Sequence, residues 1–364
     1  MATRVGVNVY CYEILRALAS LDEDFSLRIY LDKPPRDDFP VRQDQADIRV
    51  LPAGRLWTLR RLSRELRRDP PDAFLVPTMQ FPLFAPCPKV APVHETAFMY
   101  LTECWNAKRR RRTILLTRLV ARRADHVMAI SQAVRDDLVR LFHARPERIT
   151  VAHYGVSEEL HPCTDAAEIA RVRKKYSLPE RYFLFVGRLS PRKNIVRLIE
   201  AFESVRARHP GLPHKLVIAG DKGWLFEEIF ERAERSPAKE AIQFLGYVSR
   251  EDVPVLISEA DLLALVALWE GFGIPVIEAM ACGTAVLTSD RSALAEVAGD
   301  AALRVDPYDV SAIAEGLERM LVEETARKEW EVKGLEHVRK FTWEDTARKT
   351  LDALRSVAKP RQAS

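Results

Sequence analysis

The sequence lacks most of the features that mark membrane, secreted and metal-stapled proteins. No apolar run approaches the roughly 18 residues a membrane span needs, and no basic-then-apolar leader opens the chain. Five cysteines (Cys11, Cys87, Cys104, Cys163, Cys282) are odd in number, widely spread and free of any CxxC spacing. That pattern argues against a disulfide framework or a structural zinc, and for a reduced, cytoplasmic setting. Internal repeats and low-complexity tracts are absent. The basic segments carry no recognition-helix or aromatic-platform pattern, so nucleic acid is not the expected partner.

What is present suits two globular domains. The chain has 364 residues, 47% hydrophobic and 30% charged, enough for two separate cores. The net charge of +4 is unevenly placed: 30 Lys and Arg face 22 Asp and Glu up to Lys175, and 26 face 30 beyond it. The first half therefore favours an anionic partner. Strand candidates at 27–31, 48–51, 73–77, 90–94, 127–131 and 149–153 alternate with helical spacings, among them 10–21, 56–68 and 109–123. A second series at 182–189, 215–219, 242–245, 262–267, 285–288 and 303–305 does the same, and three amphipathic helices close the chain. Alternation of this kind predicts α/β domains with open, doubly wound parallel sheets. The basic helices 56–68 and 109–123 have two readings. One is a solvated face snorkelling over a core; the other is attraction to anionic lipid headgroups or to a lipid-diphosphate acceptor.

The organising stretch is WEGFGIPVIEAMACG, residues 269–283. It follows an apolar strand and delivers Glu270, the turn Gly271-Phe272-Gly273, and a helix opening at Ile274 with Pro275 in its first turn. Unpaired N–H groups and the positive dipole end of such a helix form an anion site. Glu278 lies about a turn further on. The expectation is a phosphate-bearing ligand with two carboxylates available for sugar hydroxyls. YFLFVGRLSPRKN (182–194) is a second strand-to-loop segment, which places Arg188 and Lys193 at the carboxyl end of the first strand of a parallel sheet. There they can neutralise a diphosphate, Arg188 by forked hydrogen bonds and Lys193 as a point charge.

These strings together resemble the retaining, nucleotide-sugar-dependent glycosyltransferases of family four, the group 1 enzymes of the GT-B fold. The glutamate-x7-glutamate signature, the Gly-Phe-Gly, the proline and the Ala-Cys-Gly-Thr all match in place. VGRLSPRKN matches the diphosphate-binding segment, FLGYVSRED (244–252) the segment that contacts the base around Tyr247 and Val248, and FTWEDTARKTLDAL the helix that braces the first domain. The resemblance implies two Rossmann-like domains facing each other across a cleft, donor mostly on the second and acceptor mostly on the first. Glu270 would orient the sugar hydroxyls, with Arg188, Lys193 and His94 completing the catalytic set. Gly6, Gly187, Tyr247, Val248, Gly271, Phe272, Gly273, Ile274 and Glu278 would bind substrate. No metal or other cofactor is implied, because cations do that work, and the nucleoside diphosphate sugar is a substrate.

Two departures qualify the match. His94 is followed by Glu95 where aspartate is usual, and the first domain apparently lacks its first strand, since Met1 to Gly6 reach the helix almost at once. The expected domains are 1–175, 176–342 and a tail helix at 343–364. The expected function is transfer of a hexose, mannose or glucose, to a glycan or lipid-linked acceptor, with peripheral contact to the inner face of an anionic membrane. The rivals are a sugar-nucleotide epimerase, a sugar phosphorylase, or a binding-only protein impaired by its truncated start.

Overall fold

The computed structural model describes residues 6–54, 56–78 and 81–358. The chain forms two compact units: Met1–Thr96, Ala107–Gly155 and Thr342–Ser364 in one, Ala97–Asn106 and Val156–Phe341 in the other.

The first unit holds β1 (Arg28–Leu31) and β2 (Asp47–Val50) as a two-stranded parallel sheet. A four-stranded parallel sheet contains β3 (Phe74–Leu75), β4 (Lys89–Val93), β5 (His126–Ala129) and β6 (Ile149–Val151), in that order. All five residues of β4 are buried, as expected of a strand covered on both faces. The alternation predicts one open sheet here; two are found, and among the described residues no strand bridges them. Side chains do so instead, with Tyr30 and Phe74 edge to face at 6.1 Å. The expectation that the first domain lacks its first strand rests on residues 1–5, which lie outside the described residues.

Helix Val7–Ser20 buries Tyr10, Ile14 and Leu18 at helical spacing. It packs along the terminal helix Trp343–Val357, whose Ala353 meets Val90 and Met128 of the sheet. Gly155 permits this return, because a Cβ there would stand 2.0 Å from the Trp343 nitrogen.

The second unit carries six parallel strands: β7 (Tyr182–Val186), β8 (Lys215–Ala219), β9 (Ile242–Gly246), β10 (Leu262–Leu265), β11 (Val286–Ser289) and β12 (Leu303–Val305). Their spatial order is β12-β11-β10-β7-β8-β9. Sequence reading sets the domain boundary at 175/176 and treats 154–182 as linker; the chain instead crosses at Gly155. Helix Ala166–Tyr176 is tied into the second unit by the fully buried Asp252, which takes Arg171 at 2.7 Å, Lys175 at 2.6 Å and the Tyr176 hydroxyl at 2.7 Å. Segment Ala97–Asn106 also belongs there. Tyr100 stacks on Trp269 at 3.8 Å, and Leu101 and Cys104 pack on Leu268.

Candidate functional site

Strand order reverses between β7 and β10, and the carboxyl ends of strands at such a switch point are where open α/β sheets bind ligands. The two loops leaving these strands carry the residues singled out in the sequence. After β7, Pro191–Lys193 form a single 3-10 turn, and Asn194 at φ 63° starts helix Ile195–Arg208. The Asn194 side-chain amide donates to the carbonyls of Val266 (2.9 Å) and Pro307 (2.7 Å), fixing the loop against its neighbour. After β10, Leu268 N–H donates to the Arg192 carbonyl at 2.9 Å and Glu270 N–H to the Ser292 hydroxyl at 3.2 Å.

Glu270 stands at the centre of this arrangement. It is 8% exposed, with Lys193 Nζ 2.5 Å from Oε1 and Arg192 Nη1 2.7 Å from Oε2. Burial alone would raise its pKa; the two cations overcome this and hold it at about 2. Glu270 is therefore ionised at neutral pH, able to accept hydrogen bonds from hydroxyl groups. Next to it, Gly273 at φ 106° begins helix Ile274–Ala281, whose first turn has no side-chain cap. A Cβ on Gly273 would stand 2.5 Å from Leu294 Cδ2, so glycine is required for packing as well as for backbone angle. The cations, the carboxylate and the amino end of the helix thus lie on adjoining loops.

Glu278, partly exposed on the same helix, behaves in the opposite way. Burial raises its pKa to about 7, and Arg250 opposes that only in part. Arg250 follows β9, after the half-exposed Tyr247 (47%) and the buried Val248 (8%), and bonds to the Ser157 hydroxyl at 2.8 Å. One carboxylate thus faces the β7 loop and the other the β9 side of the sheet.

The remaining expected residues are placed differently. Arg188 does not join Lys193 on Glu270. It is exposed, its stem lying across Gly223, with Cγ 2.9 Å from where a Cβ would stand. The cation that does join is Arg192, which sequence reading passed over although it sits inside the quoted SPRKN. Gly187 lines the Lys193 ammonium, Nζ being 3.5 Å from its Cβ position. In the first unit, Gly6 at φ 54° opens helix Val7–Ser20 with open space beside it. His94 follows β4, with Nε2 3.2 Å from the Pro77 carbonyl and Nδ1 2.5 Å from the Tyr154 hydroxyl. A carbonyl only accepts, so Nε2 carries the proton and Nδ1 accepts from the tyrosine. Burial pushes the His94 pKa down to about 4 and keeps the ring neutral. Ser131 caps helix Gln132–Phe142, accepting from Val134 N–H at 3.1 Å, as its sequence position suggests.

The family described as Glycosyl transferases group 1 matches residues 168–337, and Glycosyltransferase Family 4 matches residues 5–160. O-antigen chain mannosyltransferase B of Escherichia coli is 34% identical over 63% of this chain and 60% of its own length. The serotype-specific mannosyltransferase WbdA of the same organism is 31% identical over 62% of this chain. The chain spans only 28% of WbdA. Among solved structures, HepE of Anabaena in complex with UDP and glucose superposes with a TM-score of 0.76 at 19% identity, over 98% of this chain and 97% of that one. That likeness establishes the GT-B fold.

Proposed function

Since the chain belongs to the group 1 glycosyltransferases, we propose that it moves a hexose from a nucleoside diphosphate sugar to a glycan or lipid-linked acceptor with retained anomeric configuration. The observation that carries this reading is the meeting of Lys193, Arg192 and Glu270 beside the amino end of helix Ile274–Ala281, at the switch point of a parallel sheet. The costly event is separation of an oxocarbenium-like sugar from a diphosphate. Fixed positive charge aimed at the departing oxygens lowers that barrier. Lys193 and the Gly273–Ile274 amides supply the charge, with Arg188 swinging in from solvent. The ionised Glu270 accepts hydrogen bonds from the sugar hydroxyls, and Glu278 takes those of the ribose, with the base near Tyr247 and Val248.

As the C1–O bond to the diphosphate breaks, the acceptor oxygen bonds to C1 from the same face. Its proton passes to the leaving phosphate oxygen, so no enzyme nucleophile is needed and stereochemistry is kept. Cationic side chains fill the role a divalent ion has elsewhere, and turnover in EDTA is expected to equal turnover in magnesium. The mannosyltransferase relatives favour mannose, with glucose the alternative.

The acceptor side draws on helix Ala107–Arg123, which buries Thr117 and Val120 and exposes Arg111, Arg112, Arg118, Arg122 and a Leu115 that is 65% exposed. A cationic face with an apolar centre suits an anionic membrane surface. Vesicle sedimentation checks this: binding to anionic but not neutral vesicles, weakened by salt, is expected, and equal binding to both contradicts it. No helix among the described residues is long and apolar enough to cross a membrane.

The test of the activity is a donor screen by mass spectrometry, with GDP-mannose and UDP-glucose, with and without glycan acceptors. Transfer only with acceptor, giving the donor's anomeric configuration by NMR, is expected. Product without any acceptor points to the epimerase, and dependence on inorganic phosphate to the phosphorylase. Binding without turnover indicates a binding-only protein.

A further inference from the structure

Lys193 cannot serve Glu270 and a diphosphate equally well, and the geometry around it resolves the conflict. Arg192 is tied to both loops of the switch point. Its Nη1 lies 2.7 Å from Glu270 Oε2 and donates to the Trp269 carbonyl at 2.6 Å, while its own carbonyl accepts from Leu268 N–H at 2.9 Å. One nitrogen, Nη1, thus reaches both the carboxylate and a carbonyl beside it, which ties the guanidinium to the loop that carries Glu270. Lys193 is held differently: a flexible stem brings its ammonium to Glu270 Oε1 and against Gly187, where the missing side chain leaves the strand end open. From other elements, the Cys104 thiol of segment Ala97–Asn106 feels the Arg192 charge, and the Ser292 hydroxyl accepts from Glu270 N–H.

We propose that Arg192 is a positioning residue for the sugar transfer argued above: it stays on Glu270, keeping that carboxylate ionised and oriented, while Lys193 exchanges Glu270 for the donor's diphosphate. This rests on the nucleotide-sugar reading. Without Arg192, departure of Lys193 would leave a buried carboxylate with no counter-ion, which takes up a proton instead. A protonated Glu270 no longer accepts two hydroxyl hydrogen bonds, so donor binding at the phosphates would disarm the sugar end of the same site. With Arg192 in place, one cation moves and the other holds.

The experiment compares Arg192→Met, Arg192→Lys and Lys193→Met in the full chain. Calorimetry with GDP and UDP should give an affinity for Arg192→Met within a few-fold of the parent, and a loss of about tenfold or more for Lys193→Met. In the pH profile of kcat, which reports the donor complex in which Lys193 has left Glu270, the acid limb should rise by about one unit or more in Arg192→Met. It should return in Arg192→Lys and stay in place in Lys193→Met. A donor-free arm follows Tm against pH. The stability Glu270 supplies is present above pH 4.5 and lost toward pH 2 in the parent, and that loss should begin at higher pH in Arg192→Met. If Arg192→Met does not fold, Arg192→Lys with the parent's pH limb still supports the role, and a displaced limb counts against it. The proposal is overturned if Arg192→Met weakens nucleoside diphosphate as much as Lys193→Met does, or if its pH limb and its Tm profile both match the parent's. Absence of turnover and binding in the parent would instead remove the sugar-transfer reading and the Lys193 exchange with it. The donor-free arm would still decide the counter-ion role of Arg192.

Discussion

Two glutamates eight residues apart, joined by one loop and one helix, sit in opposite electrostatic environments. Glu270 is buried but flanked by Arg192 and Lys193, and its pKa falls to about 2. Glu278 is partly exposed, yet its desolvation outweighs the help from Arg250, and its pKa rises to about 7. The consequences for stability have opposite sign. Glu270 contributes above pH 4.5 and loses that contribution as pH falls toward 2. Glu278 binds its proton more tightly folded than unfolded, so its contribution declines as pH rises from 4.5 through 7. In the proposed site, an ionised Glu278 would accept both ribose hydroxyls. Nucleotide affinity is therefore expected to rise between pH 6 and 8, and Glu278→Gln to flatten that dependence in calorimetry; an unchanged slope removes Glu278 from the site. Arg188→Ala should cut turnover on the order of 10²-fold if the side chain swings onto the transition state, and unchanged kcat would leave it a surface residue. The spacing of the two glutamates was legible in the sequence, but their divergence was not. It depends on Arg192, whose direction is set by a 3-10 turn and by the Trp269 carbonyl in a loop 77 positions away.

At the scale of elements, parallel strands buried on both faces leave a plain apolar signature. Among the described residues, the twelve strands β1 to β12 fall on runs that the sequence marks out. Hydrogen bonding between strands is less legible, because the split between β2-β1 and β3–β6 follows from long-range pairing that no local pattern encodes. The helix at 56–68 was visible as an apolar stripe, yet Thr58–Leu62 winds as a π-helix, with Ser63 Oγ donating to the Thr58 carbonyl at 2.9 Å. The element that matters most is the start of helix Ile274–Ala281. Gly273→Ala forces a Cβ into Leu294 and a non-glycine residue to φ 106°. A cost of about 1–3 kcal/mol is expected, read as a lower Tm. Nucleoside diphosphate affinity should fall with it, as the helix start shifts off the phosphates. Retained affinity at a lowered Tm would separate packing from binding and exclude the amide contact.

For the molecule as a whole, the charge imbalance of the sequence can be located on the structure, whereas the chain crossings are not legible in the sequence. The excess of Lys and Arg before Lys175 appears on the exposed face of helix Ala107–Arg123. By contrast, nothing local announces that Ala97–Asn106 belongs with the second unit or that the chain crosses at Gly155. Those placements rest on the Tyr100–Trp269 stack and on the clearance of Gly155 against Trp343. The residues that carry the proposed chemistry nonetheless converge on one switch point, where Lys193, Arg192, Glu270 and the Gly273 helix start would form a diphosphate site. Calorimetric titration of the full chain with UDP and GDP against uridine and guanosine tests this directly. The diphosphates should bind about 10²-fold or more tightly than the nucleosides, with affinity falling as salt rises. Equal affinity for nucleoside and nucleoside diphosphate, or no binding of either diphosphate, would contradict it.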